Sequence, residues 1–241
     1  MTDAVIKLRR KVMEQIDQFD ESLQRHVLST YFGLRLGMGV IALLFPLLLC
    51  IGGGVIAGTE LQGSLSAYYH TPMRNAFVGG LFAIGSFLYL YKGFTSRENI
   101  ALNVAGILSI GIAIFPMEGP EYAPITYTNP VLHGTCAILF FVAIAYVCIR
   151  RSGDTLHLVT DLTVRRRYKW TYWLLGVLMV ALPSTAALVL NFGHYVFETK
   201  TNIFILGVEW AAVWVFAAYW IIKTIELRKS DAERKIVRIP R

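Results

Sequence analysis

The sequence predicts an all-helical integral membrane protein: six transmembrane helices preceded by an amphipathic helix, with both termini in the cytoplasm. Hydrophobic residues make up 55% of the 241 residues, and the mean hydropathy is +0.53. This exceeds what a water-soluble surface allows. The apolar residues are grouped in six long runs, and basic residues are concentrated in every second segment between these runs. Together these observations place the chain in a bilayer.

The six apolar runs define the predicted spans, because a bilayer core needs about 20 apolar residues per helix. The second and third runs are short, so residues 65–71 are expected either to extend the second helix or to lie in the membrane interface. The first 35 residues lack the pattern of a secretory signal, and we expect the first span to be retained. The runs cover residues 36–57, 76–91, 101–117, 131–149, 170–190 and 203–223.

The basic residues predict the orientation. Of the 23 Lys and Arg residues, 21 fall in the first, third, fifth and seventh segments outside the spans. The positive-inside rule places these four segments in the cytoplasm. The net charge of +7 and the pI near 9.4 are thereby explained by topology, and nucleic-acid binding is not expected. The predicted divisions are a cytoplasmic amphipathic helix (1–35), a six-span bundle (36–223) and a basic cytoplasmic tail (224–241).

The N-terminal segment predicts an amphipathic helix with one apolar stripe. Its apolar residues recur at three- and four-residue steps, with charges between them. Its basic first part suits anionic lipids at the cytoplasmic face, while the stripe also suits packing on the bundle or contact with a second subunit of a homo-oligomer. A second basic cluster precedes the fifth span, where acidic-lipid binding is a further hypothesis. The stripe consists of Val5, Leu8, Val12, Ile16, Phe19, Leu23 and Val27.

Polar and ionisable side chains gather in the short segments predicted to lie outside. Glu209 is distinct, because it lies within the last span, roughly 9 Å from its outer start at 1.5 Å per residue. A carboxylate at that depth is costly unless it faces the bundle interior and has a partner. Arg74 and the outer histidines are the predicted partners. The candidate ligand-binding residues are Ser66, Tyr69, His70, Arg74, His133, His194 and Glu209.

This pattern leaves several functions open. We favour an outward-facing polar vestibule that binds or senses a small molecule or a lipid headgroup. One alternative is a zinc-dependent membrane lipid hydrolase, in which His70, His133 and His194 hold Zn²⁺ and Glu209 acts as a base. No closely spaced ligand pair such as HExxH supports it. A small proton-coupled transporter is another alternative, as is a purely structural pairing of Glu209 with Arg74. Enzymatic activity is left open.

Three stretches carry a resemblance that covers most of the predicted bundle. They are GSLSAYYHTPMRNAFVGGLFAIGSFLYLYKGF, ENIALNVAGILSIGIAIFPM and EWAAVWVFAAYWIIK, and they resemble a group of uncharacterised bacterial polytopic membrane proteins. This resemblance implies a multi-pass protein of the bacterial inner membrane. A fainter one is to the hydrolase superfamily of alkaline ceramidases and progestin and adipoQ receptors, where Ser66 and His70 would match the first two zinc-site positions. The chain lacks that family's seventh span and its paired histidines on the last helix.

Overall fold

A computed structural model describes residues 3–119, 128–192 and 201–230, and this part of the chain forms helices and no strand. The expectation of an all-helical chain is confirmed for these residues. A short 3₁₀ helix, Ser66–His70, precedes α2, and a π-helical turn, Val147–Arg151, followed by a 3₁₀ helix, Ser152–Leu158, continues α4. The six α-helices are α1 (Asp3–Ala57), α2 (Arg74–Leu90), α3 (Ser96–Ile114), α4 (Pro130–Tyr146), α5 (Leu162–Phe192) and α6 (Thr201–Ser230).

The six helices pack as a closed ring in chain order. Each helix contacts the next, and α6 closes the ring by packing against α1. Trp214 in α6 supports this closure, since its indole N–H donates to the carbonyl of Leu43 in α1 at 3.1 Å. Aromatic pairs pack inside the ring, including Phe140 with Phe216 and Tyr91 with Trp220. Residues far apart in sequence therefore share one interior.

Within the described part of the chain, five helical stretches are long and apolar enough to cross a membrane, and α2 is a shorter apolar helix of 17 residues. Large apolar side chains are exposed on the outer surface of every helix, an arrangement that suits lipid rather than water. The chain is thus a multi-pass helical membrane protein by helix length, composition and surface character. Examples of exposed side chains are Leu48 and Ile51 in α1, Phe82 in α2, Ile107 in α3, Leu139 in α4, Leu174 in α5 and Phe204 in α6.

Two predicted divisions fall inside continuous helices. The predicted boundary at residue 35 lies within α1, which runs without interruption from the amphipathic segment into the first apolar run. The predicted boundary at residue 223 lies within α6, which continues to Ser230 and buries Glu226 and Leu227. The beginning of the predicted basic tail therefore belongs to the packed bundle. Residues 231–241 lie outside the described part.

The segment between α1 and α2 folds inward. Ser64, Leu65, Tyr68 and Tyr69 are buried although hydropathy places them between two spans. Tyr68 accepts a hydrogen bond from the backbone N–H of Gln62 at 3.4 Å, and burial raises the pKa of its phenol to about 12. The 3₁₀ helix is separate from α2 and does not extend it, and its Tyr68 and Tyr69 side chains are buried. It covers one end of the ring.

Helices α2 and α3 approach closely at a glycine pair. A Cβ on Gly85 would lie 2.7 Å from the carbonyl oxygen of Gly106, and a Cβ on Gly106 would lie 2.6 Å from that of Gly85. Nearby, the Ser109 hydroxyl donates to the carbonyl of Leu81 at 2.8 Å. Small residues allow such contact in a membrane, where the hydrophobic effect does not drive helices together. This contact helps to hold α2 in the ring despite its short length.

Candidate ligand cavity inside the helix ring

A cavity of about 190 Å³ lies inside the ring, and all six helices and the 3₁₀ helix contribute to its wall. Its surface is largely apolar, and its polar side chains are Ser66, His133 and Glu209. The remaining lining residues are Phe45, Leu65, Phe77, Leu81, Ile84, Ile112, Gly134, Ala137, Ile138, Phe140, Phe141, Pro183, Ala186, Ala187, Ala212, Val213 and Phe216.

Glu209 faces this cavity and binds the backbone of the inward-folded segment. Its Oε2 atom accepts a hydrogen bond from the N–H of Leu65 at 2.6 Å, and the N–H of Ser66 also points toward the carboxylate. Among the described residues, the structure contains no ion pair between Glu209 and Arg74. The partners of Glu209 are therefore backbone N–H groups, and not Arg74 as the sequence suggested. This contact ties the 3₁₀ helix to α6.

His133 holds Ser66 at the same cavity. Its Nδ1 atom lies 2.9 Å from the carbonyl oxygen of Phe115 and 3.2 Å from that of Ile112. Carbonyl oxygens only accept, so Nδ1 carries the proton. In a neutral imidazole, Nε2 is then an acceptor. The Ser66 hydroxyl lies 3.0 Å from Nε2 and donates a hydrogen bond to it.

A hydroxyl that donates to an imidazole also occurs in nucleophilic catalysis. Acyl transfer further needs free donors where an oxyanion develops. Here the N–H groups of Leu65 and Ser66 are directed at the Glu209 carboxylate. These two N–H groups are therefore not free to stabilise an oxyanion.

The other predicted site residues lie apart from the cavity wall. The Arg74 guanidinium carbon lies 4.2 Å from the ring centroid of Tyr69, and its Nη2 atom donates to the Tyr69 hydroxyl. His70 donates from Nε2 to the carbonyl of Met117 at 2.9 Å, and its ring packs edge-on against Tyr69. His194 lies outside the described residues. The predicted set is therefore divided into a cavity group and an aromatic–cation group.

The described residues contain no group of three or more His, Cys, Asp or Glu side chains that could hold a metal ion. His70 and His133 each hydrogen-bond to main-chain carbonyls, on Met117 and on Ile112 and Phe115 respectively. The three-histidine zinc hypothesis includes His194, which is outside this part of the chain.

Sequence reasoning missed a buried polar cluster at the opposite end of the ring. Lys223 and Glu226 form an ion pair of 2.7 Å, with side chains only 2% and 0% exposed. Thr155 and Tyr172 donate hydroxyl hydrogen bonds to the same carboxylate, each at 2.7 Å. Lys223 also donates to the Ser152 carbonyl at 3.2 Å. The available signal was the i, i+3 spacing of opposite charges at the end of the last apolar run.

Comparison of the chain with protein-family models, with curated proteins and with solved structures finds no match.

Proposed function

We propose that this protein binds a small amphiphilic molecule, or one group of a lipid, in the cavity inside its helix ring. The observation that carries the proposal is an apolar cavity with Ser66, His133 and Glu209 as its polar side chains. Binding sites for small molecules share this composition, in which apolar walls supply affinity and a few polar groups set orientation.

The polar side chains favour a ligand that donates a hydrogen bond. The Ser66 hydroxyl donates its hydrogen bond to His133, so the lone pairs of the Ser66 oxygen can still accept one from a ligand. The Glu209 carboxylate is also an acceptor, and Leu65 is its closest donor. Both nitrogens of His133 already have partners. We therefore infer a hydroxyl or ammonium group on the ligand, attached to an apolar body.

The size and the wall of the cavity define the rest of the ligand. An engineered apolar cavity of about 150 Å³ accommodates benzene, so about 190 Å³ accommodates a ring or a short alkyl chain. Ile138 lines the cavity and is also 41% exposed on α4. Gly134, another lining residue on α4, has no atom within 4 Å of the position that a Cβ would take. These features support entry from the lipid side between α4 and α5.

The test compares two Gly→Leu variants on neighbouring parts of the ring. Gly134→Leu places a side chain in the cavity wall, whereas Gly207→Leu places one in open space on α6, at a residue that does not line the cavity. Each protein is purified in the same detergent, and saturation-transfer NMR measures the binding of hexanol, hexylamine and hexanoate. We expect hexanol and hexylamine to bind the wild-type protein and Gly207→Leu, but not Gly134→Leu.

Ser66→Ala should weaken hexanol binding by about 2- to 10-fold, the range for one lost hydrogen bond. Hexanoate, which brings a second carboxylate toward Glu209, should not bind. Equal binding of hexanol to wild type and Gly134→Leu would show that the cavity is not the site. Tighter binding of hexanoate than of hexylamine would contradict the inferred donor group.

We also propose the topology within which this site works. All six helices cross the bilayer, with α2 assisted by the inward-folded segment, and both termini lie in the cytoplasm because of the distribution of basic residues. The cavity polar group is then nearer the outer face. The location is a bacterial inner membrane, and a homo-oligomer is one arrangement that would cover the N-terminal apolar stripe. The zinc-hydrolase and proton-transporter alternatives remain predictions from the sequence.

A further inference from the structure

A second cavity, of about 350 Å³, lies at the end of the ring opposite Ser66 and Glu209. It is formed where the π-helical turn and the 3₁₀ helix after α4 face the beginning of α5. Its lining residues include Leu156, Leu162, Arg165, Arg166, Lys169 and Tyr172. Three cations therefore converge on one apolar-floored cavity.

The cations have no acidic partner within the described residues, where the ion pairs are Arg151–Asp154 and Lys223–Glu226. Asp161, close to the cavity in sequence, caps α5 by accepting from the N–H groups of Thr163 and Val164. Each of these carboxylates is occupied by another contact. The cavity thus presents uncompensated positive charge to an incoming anion.

The cavity wall is held in place by the buried polar cluster. The Ser152 hydroxyl donates to the Val147 carbonyl at 3.2 Å, and its oxygen lies 3.2 Å from the Tyr219 hydroxyl, which ties the π-helical turn to α6. Tyr172, on the cavity floor, donates to Glu226 at 2.7 Å. π-Helical turns inside helices frequently occur at functional sites. The positive-inside rule explains basic residues in this segment, but not a fixed cavity around three of them.

The position along α5 indicates the source of the anion. Trp170 follows Lys169 directly and is 60% exposed, and its ring packs edge-on against that of Trp173. Exposed tryptophan marks the headgroup level of a bilayer. Leu162, also exposed, offers an apolar surface beside the cations. The charged wall therefore lies where the phosphate of a phospholipid lies.

We propose that this basic cavity binds a phosphate group, and that an anionic phospholipid of the adjacent leaflet supplies it. Arg165 and Arg166 contact the phosphate oxygens through their guanidinium groups, which match phosphate geometry. Lys169 contributes a third positive charge, and the apolar floor accommodates the first part of the lipid chains. This site is separate from the cavity inside the ring and does not depend on the function proposed for it.

The experiment measures lipid retention by native mass spectrometry of the full chain, released from nanodiscs that contain phosphatidylcholine with a minor fraction of phosphatidylglycerol. The variants are Arg166→Gln and the double variant Arg166→Gln/Lys169→Gln. Arg167→Gln is the matched control, because it removes an equal charge from an exposed adjacent residue that does not line the cavity. Melting in phosphatidylcholine alone checks that each variant is folded.

We expect the affinity for phosphatidylglycerol to fall roughly 5-fold in Arg166→Gln and about 30-fold in the double variant, from the typical contribution of one basic residue at an anionic surface. Arg167→Gln should change it less than 2-fold. An equal loss in Arg167→Gln would show diffuse surface attraction and overturn the site. In a second arm, inorganic phosphate is added to protein in phosphatidylcholine nanodiscs. If millimolar phosphate raises the melting temperature in wild type but not in the double variant, the anion is free phosphate and the lipid assignment is wrong.

Discussion

Glu226→Gln tests whether the buried polar cluster around the Lys223–Glu226 ion pair joins the beginning of α5 to the end of α6. The substitution keeps the shape of the side chain and removes its charge. In the native structure the carboxylate accepts hydrogen bonds from Lys223, Thr155 and Tyr172, each at 2.7 Å. Glutamine retains one oxygen acceptor, but its NH₂ group meets hydroxyl groups that previously donated. The Lys223 ammonium, 2% exposed, loses the carboxylate that it contacts.

The expected loss follows from this burial. Removing one partner of a buried ion pair costs about 3–5 kcal/mol, because the remaining charge stays desolvated. For a chain of this length, 1 kcal/mol corresponds to about 2–4 °C in melting temperature. Glu226→Gln should therefore melt roughly 6–20 °C below wild type. Adding Lys223→Met should recover part of that loss, since it removes the unpaired charge.

Circular dichroism melting in one detergent measures the effect. Asp154→Asn is the matched control: it breaks an ion pair with the same i, i+3 spacing, but the side chains of Arg151 and Asp154 are 18% and 25% exposed. A fully exposed pair contributes up to about 1 kcal/mol and a fully buried one costs more to break, so this partly buried control should lose less than Glu226→Gln. Equal melting temperatures for Glu226→Gln and Asp154→Asn would contradict a structural role of the buried pair. A further decrease when Lys223→Met is added to Glu226→Gln would contradict it as well.

Two further predictions concern packing and orientation. Gly85→Val should lower the melting temperature by an amount corresponding to about 1–3 kcal/mol, because its side chain would press on Gly106. Gly79→Val on the same helix, where a Cβ meets open space, should have a much smaller effect, and equal losses would contradict the close contact. Reporter fusions at either terminus or within residues 151–161 should read cytoplasmic, and a reporter in residues 119–129 should read external; an external N-terminus would reverse the proposed topology.

The candidate cavity contains some, but not all, of the polar residues that the sequence placed at the same depth in the membrane. Depth and residue type singled out Ser66, His133 and Glu209, and the structure places all three on one cavity wall. Depth is one coordinate, however, and the rotation of each helix decides which neighbours meet. Arg74 was predicted at the same level, yet it stacks on Tyr69. The partner that Glu209 does have is a main-chain N–H, which no residue type signals.

The basic cavity illustrates a different gap between sequence and structure. The charge count predicts a cytoplasmic segment that contains Arg165, Arg166 and Lys169, and it suggests binding to acidic lipids. It did not reveal the cavity, because the opposite wall is formed by a π-helical turn with no distinct sequence pattern. The Lys223–Glu226 pair was likewise divided by the predicted boundary at residue 223. Lys223 and Glu226 form one buried pair because α6 continues past residue 223 and packs inside the bundle.

By itself the sequence determined the helical membrane class and the approximate position of each apolar helix, because hydropathy is local along the chain and a bilayer requires every backbone group to be satisfied internally. Tertiary structure alone decided which polar groups meet. Leu65 and Glu209 are 144 residues apart, and Ser66 and His133 are 67 apart. Such contacts depend on how the helices close into a ring and on how each helix is rotated within it. Packing between distant helices sets both, and no local pattern contains that information.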